Sequence, residues 1–180
     1  MIYRFIIVSD EVDDFRRDIL IDSDATFMEL HEAILHAVGY TKDQITSFFI
    51  CDSDWTKQTE ITLIDMDSSS DEDSYVMDST RLSELLDEGQ KLVYVFELLT
   101  DRCFYMELRE IIPGKHLDKP EVVKSVGRAP QQVSQMEDLD FSGSGRNSHY
   151  DEDDDFYDEF GDEDYDEEDL ENFSDDTFGY

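Results

Sequence analysis

The side chains best suited to chemistry in this chain are four histidines, two cysteines and a large excess of carboxylates. His31-Glu32-Ala33-Ile34-Leu35-His36 comes nearest to a metal motif. The zinc-protease pattern HExxH sets its histidines four apart, close to one helix face. Here the spacing is five, which separates the rings by about 140° around a helix of 3.6 residues per turn. One metal cannot reach both, so the expectation is a pair of surface or boundary histidines. His116 and His149 stand in loop-like segments without a Ser or Cys nucleophile beside them. Cys51 and Cys103 form no CxxC pair, so a zinc or thioredoxin-type motif has no support. Two reduced, part-buried thiols are expected, with a disulfide between them left open. Asp65-Met66-Asp67-Ser68-Ser69-Ser70-Asp71 begins like a calcium loop, yet Ser70 and Val76 occupy the positions that need Gly and Glu. Asp162-Glu163-Asp164-Tyr165-Asp166 fails at the same two places. No cofactor or metal site is expected.

Two further groups could act. Glu97, Asp101 and Glu107, beside Tyr94 and Tyr105, could supply acid–base chemistry if a cleft brought them together. Arg16 and Arg17 could meet an acidic partner. The simpler expectation is that they pair with neighbouring carboxylates on an exposed strand face.

The charge distribution is the most informative feature. The chain of 180 residues carries 48 Asp and Glu against 14 Lys and Arg, a formal net charge of −34. Such a chain cannot hold nucleic-acid phosphates by bulk electrostatics, which rests on basic groups displacing counterions. Anionic membrane surfaces should repel it. Residues 150–180 are the extreme case: 17 acidic residues and no base, interleaved with Phe156, Tyr157, Phe160, Tyr165, Leu170, Phe173, Phe178 and Tyr180. Like charges at i, i+4 oppose a helix, and high charge with few aliphatics predicts disorder. Extended, this stretch spans roughly 100 Å, about one charge per 6 Å. Duplex DNA carries one per roughly 1.7 Å, so an extended tail is too dilute to imitate it well. A short basic groove on a protein is the better target. There Phe156, Tyr157, Phe160, Tyr165 and Phe173 would supply contact area while the carboxylates steer the encounter.

The rest of the chain must form the body. Ile2–Val8 and Phe15–Ile21 read as strands paired in a hairpin. Thr26-Phe27-Met28-Glu29 has capping-box spacing. Phe27, Leu30, Ile34 and Val38 make an apolar stripe, and Gly39 suits the terminating position. Ile45–Cys51 and Glu60–Ile64 read as strands around a turn at Asp52–Trp55. Asp65–Asp73 is an acidic loop. Tyr75–Met77 is a short strand and Thr80–Asp87 a short helix. Leu92–Leu99 and Phe104–Ile112 make a second hairpin at the centre of the sheet, closed by Pro113-Gly114. Lys115–Arg128 is locally basic. Residues 131–149 read as a flexible linker. The fold class is α+β over 1–130: a largely antiparallel sheet covered on one face by one long and one short helix, followed by a disordered acidic C-terminal tail. The apolar N-terminal run is too short for a signal peptide and lacks a basic leader. No stretch is long enough for a membrane span, and a cytoplasmic location is expected.

Phe15-Arg16-Arg17-Asp18-Ile19, the helix Thr26-Phe27-Met28-Glu29-Leu30-His31 and the stop Val38-Gly39-Tyr40 resemble the plasmid pRiA4b ORF-3-like family. Leu82-Ser83-Glu84-Leu85-Leu86 with Lys91–Phe96 is similar to that family's leucine-rich turn and Tyr-bearing strand. Val122–Gln132 is similar to the closing segment of its bacteroidete-type members. The resemblance covers roughly residues 2–132 and implies an α+β fold and a bacterial source, but no reaction.

The functional expectation is a non-enzymatic bacterial protein-interaction module. Its acidic tail would contact a basic protein surface or its own basic segment, Lys115–Arg128. Two alternatives stand beside it: an enzyme with a cleft in the 1–130 domain, and a nucleic-acid decoy for DNA-binding proteins. The oligomeric state is left open.

Overall fold

The computed structural model describes residues 1–65 and 75–134. The linker from residue 135 onward and the acidic segment, with Phe156, Tyr157, Phe160, Tyr165 and Phe173, lie outside the described residues. So does most of the acidic loop.

The described elements run β1 (Ile2–Val8), β2 (Arg16–Asp22), α1 (Phe27–Val38), β3 (Ser47–Cys51), β4 (Lys57–Thr62), β5 (Tyr75–Val76), α2 (Leu82–Leu85), β6 (Lys91–Glu97), β7 (Arg102–Ile112) and β8 (Glu121–Val126). The strands join into one sheet in the order β5-β4-β3-β6-β7-β1-β2-β8. Every pairing is antiparallel except β4 with β5, where a two-residue strand runs parallel. The expected α+β class is what the body adopts, with β6 and β7 at the middle of the sheet.

Strand alternation decides which side chains go inward. Tyr3, Phe5 and Ile7 of β1, Ile19 and Ile21 of β2, Tyr94 and Phe96 of β6, and Phe104, Met106 and Leu108 of β7 share one buried core with Phe27, Leu30 and Ile34 of α1 and Leu82 of α2. Both helices therefore cover the same face. Burying an aliphatic or aromatic side chain of this kind is worth about 1.5–3 kcal/mol. The helix starts where the capping box places it: the Thr26 side chain accepts from Glu29 N–H, and the Glu29 carboxylate accepts from Thr26 N–H. It stops at Gly39, whose φ of +75° lets its N–H reach Leu35 O.

Three local expectations are corrected. His31 is not a surface or boundary residue; it is 3% exposed and its Nδ1 lies 2.8 Å from the Tyr94 hydroxyl. The α1 stripe is wide enough to take in this histidine, because Tyr94 on the opposing strand gives the ring a polar partner. Arg17 meets no carboxylate among the described residues. It points inward, and the carbonyls of Ala37, Val126 and Gly127 accept from its guanidinium. The alternation of β2 puts Arg17 on the same side as Ile19, so it must enter the core edge. The last carbonyls of α1 carry the negative end of the helix dipole and satisfy it there. Arg16 does pair as expected, with Asp18 at 2.6 Å. Third, the basic stretch after Gly114 contains a strand, β8, that pairs with β2. All six of its residues are exposed, so no burial alternation marks it in the sequence.

The disulfide left open by the sequence does not form; both cysteines are free. Cys51 sits across from Lys91, and Cys103 across from Val95. Two strands and four residues of offset separate them, roughly 16 Å at sheet spacing, against the roughly 7 Å limit for a bridge.

Candidate functional site

The face of the sheet away from the helices is the one that presents polar groups. Its middle carries a small apolar patch of Cys51, Val93, Val95 and Cys103, covered by Phe49, Trp55 and Tyr105. Beside this patch lies an open hollow of about 390 Å³. One wall is the edge-to-face pair of Trp55 and Tyr105, ring centroids 5.1 Å apart at 89°. The rest of the lining carries Lys57, Arg102, Cys103 and the carboxylates of Asp10, Glu11 and Asp101.

Among the described residues, two of the three non-glycine residues with positive φ line this hollow: Trp55 at +66° and Asp101 at +53°. For a bulky residue that conformation is a true outlier. Trp55 is held in it by the Asp52–Thr56 turn, where the Asp52 carboxylate accepts from the N–H groups of Asp54 and Thr56. Lys91 Nζ then sits 4.9 Å above the indole. Strained backbone of this sort concentrates where structure serves function.

Four of the charges lining the hollow, Lys57, Asp101, Arg102 and Glu11, are neutralised by partners. Lys57 pairs with Asp101 at 2.7 Å. Arg102 donates to Glu11 and to Glu97, and also to the carbonyl of Gln131. Glu97 accepts from the Thr100 hydroxyl at 2.6 Å, from Arg102 and from Ser134. Those hydrogen bonds, Thr100's foremost, bring its carboxyl down to about 2 against the opposing effect of burial. The Cys103 thiol is pushed up to about 11, first by burial and then by the charge of Asp10. It stays protonated at neutral pH and is a poor nucleophile.

The five residues that the sequence offered for acid–base work do not converge. Asp101 and Tyr105 line the hollow. Glu97 lies next to it, consumed by Arg102. Glu107 pairs with the adjacent Arg109 at 2.9 Å. Tyr94 faces the opposite way, in the core with His31 and Thr46, and burial raises its phenol strongly. Among the described residues no His, Cys, Asp and Glu side chains gather as a metal site. His36 is exposed on the solvent side of α1, and His116 lies 3.1 Å from Asp22. Trp55 is the residue that sequence reasoning passed over, as one more turn position. A lone tryptophan after Asp-Ser-Asp was the available signal.

Elsewhere on this face a fully buried Asp18 is shared by Arg4 at 2.7 Å and Arg16 at 2.6 Å. The Arg16 hydrogen bond, with that of Arg4, outweighs burial and holds the Asp18 carboxyl below its usual range. Three further bases follow the same pattern. Lys42 pairs with Glu32, and Arg81 and Lys91 donate to backbone carbonyls. No helix of the described residues is long and apolar enough to cross a membrane.

The architecture has a solved counterpart. A crystal structure of a protein of unknown function from Methanosarcina mazei Go1 superposes with a TM-score of 0.55, covering 69% of this chain and 68% of that one at 16% identity. A likeness at that identity speaks for the fold alone. No curated protein matches the chain. The family model described as plasmid pRiA4b ORF-3-like protein matches residues 3–173, nearly the whole length, and with the capped Leu30-His31 helix and the central Tyr94 strand in place, this chain belongs to that family.

Proposed function

We propose that the chain is a non-enzymatic protein-interaction module whose acidic-aromatic segment, residues 150–180, engages a basic surface on a protein partner. The observation that carries this reading is the composition of that segment: 17 acidic residues, no base, and aromatics spaced through it. Carboxylates raise the rate of encounter with a basic patch, and buried aromatics supply the contact energy. The paired state of the acidic and basic groups in the body supports it too, since Glu97 and Glu107 already have cationic partners.

The test is capture of partners from a host extract by the full-length chain. Deleting 150–180 is expected to abolish capture. Serine at Phe156, Tyr157, Phe160, Tyr165 and Phe173 is expected to weaken it about tenfold with the carboxylates intact. Capture that survives both changes, or that ignores 0.5 M salt, overturns the reading. Competition between the chain and duplex DNA for a basic protein separates this role from a nucleic-acid decoy.

A second reading, ligand binding or catalysis in the outer-face hollow, is favoured by one observation: the strained Trp55 on its rim. Trp55 is the sole tryptophan, so its fluorescence reports on the hollow alone. A saturable change in emission across a library of small planar polar molecules would support this second reading, and a flat response would remove it.

A further inference from the structure

We propose that the free edge of β8 is a docking strand for an extended acidic peptide of another polypeptide. Strand β8 ends the sheet, with β2 on one side and no described strand on the other. An edge strand offers a row of unpaired backbone donors and acceptors, and an extended peptide can add to it as one more strand. Val122, Val123 and Val126 are 39%, 50% and 42% exposed, so the strand offers apolar side chains beside its free backbone groups.

Charge selects the partner. Among the described residues, every lysine and arginine outside 115–128 has an ion-pair or hydrogen-bond partner. Lys115, Lys119, Lys124 and Arg128 have none. These four flank and occupy β8, against only Asp118 and Glu121 in the same stretch. In a chain of net charge −34 this is an isolated basic strip. Its cations are the ones that remain available.

The strip also excludes the wrong strands. Pro120 precedes β8, and Val123 is an extra residue in the ladder with β2, where Asp18 faces Lys124 and Ile19 faces Val122. Proline, lysine and bulges are the devices by which edges resist indiscriminate pairing. A second copy of β8 would set unpartnered cations against unpartnered cations. An acidic strand with alternating apolar residues meets both the charge and the valines.

The edge is also held ready. Arg17 grips the carbonyls of Val126 and Gly127, fixing the end of β8 to the core. Gly127 adopts φ +67° with Asp14 O only 2.7 Å from where a Cβ would stand. The proposal concerns this basic edge and not the acidic segment, so its failure leaves the reading of 150–180 untouched.

The test uses the full-length chain and a synthetic eight-residue peptide alternating Glu and Val, with a Lys–Val peptide as control. Saturable binding, slowed amide exchange confined to 121–126, and at least a tenfold loss in the K119E/K124E variant are expected. Both substituted side chains are exposed and have no partner among the described residues, so that variant should fold. Absence of saturable binding at millimolar peptide, equal binding of the Lys–Val peptide, or binding unaffected in the variant overturns the proposal. Residues 150–180 share the peptide's chemistry, which makes the peptide-free chain informative. If its β8 amides are already protected and 0.5 M salt releases them, the occupant is the chain's own segment, and the assignment to another polypeptide fails.

Discussion

Most basic groups of the body and the four bases around β8 live under different rules. Arg17 is buried and surrounded by carbonyls; Arg102 is tied to Glu11 and Glu97; Arg4 and Arg16 share the buried Asp18. Those cations are structural members whose charge is spent on the fold. Lys115, Lys119, Lys124 and Arg128 contribute no such bond among the described residues. The contrast shows that an acidic protein need not use all its scarce cations for stability. The ones it leaves unpaired mark a surface.

Removing a base from the first group should be felt throughout the body, and the largest effect is expected at Arg17. Arg17→Met leaves the carbonyls of Ala37, Val126 and Gly127 without the Arg17 donor and frees the end of β8. Chemical denaturation should register a loss of about 3 kcal/mol, the scale of several charged hydrogen bonds. A loss below about 1 kcal/mol would mean that Arg17 is no more structural than the β8 lysines. Gly127→Ala tests the same anchor through the backbone. A left-handed conformation disfavours a Cβ, and here the Asp14 carbonyl obstructs it, so a loss of about 2 kcal/mol is expected.

The acidic partners sharpen the contrast through pH. Glu97→Gln should cost about 1.5 kcal/mol at neutral pH, as charge-assisted bonds are lost. The carboxyl is lowered from 4.5 to about 2 in the fold. The wild-type advantage is therefore full above pH 4.5 and disappears as pH falls from there toward 2. His31 gives the opposite kind of group, a buried base kept neutral beside Tyr94 and Thr46, with Glu32 and Lys42 nearby. Burial lowers its pKa, so the unfolded chain takes up its proton first. Stability should fall as pH drops below 6.5, by at most about 1.4 kcal/mol per pH unit. The dependence should vanish in His31→Gln; persistence there would assign it to other groups. The smallest effect belongs to Lys119→Ser with Lys124→Ser, expected within about 0.5 kcal/mol of the wild type. A larger loss would place these lysines with the structural bases and break the comparison.

Much of the body was legible before any coordinates. The capping box at Thr26 and Glu29, the Phe27-Leu30-Ile34 stripe and the period-two strands are local signals; the helix appears where they place it, while strand ends shift, β4 spanning Lys57–Thr62 where Glu60–Ile64 was expected. The pairings of β1 with β2 and of β6 with β7 follow from two hairpins. Other features have no local signature. Strand β8 is exposed on every residue and reads as a polar stretch until β2 offers it an edge. The inward turn of Arg17 depends on the C-terminal carbonyls of α1, which lie twenty residues away in the chain.

What the sequence determined by itself is the division of charge and the identity of the core, because net charge and apolar periodicity are properties of residue order. What only the tertiary structure decided is which charges are spoken for. Ion pairs such as Arg102 with Glu11, and the lack of a partner for Lys124 among the described residues, arise from strands brought together across long separations. Coulomb interactions depend on distance in space, and no spacing along the chain encodes it.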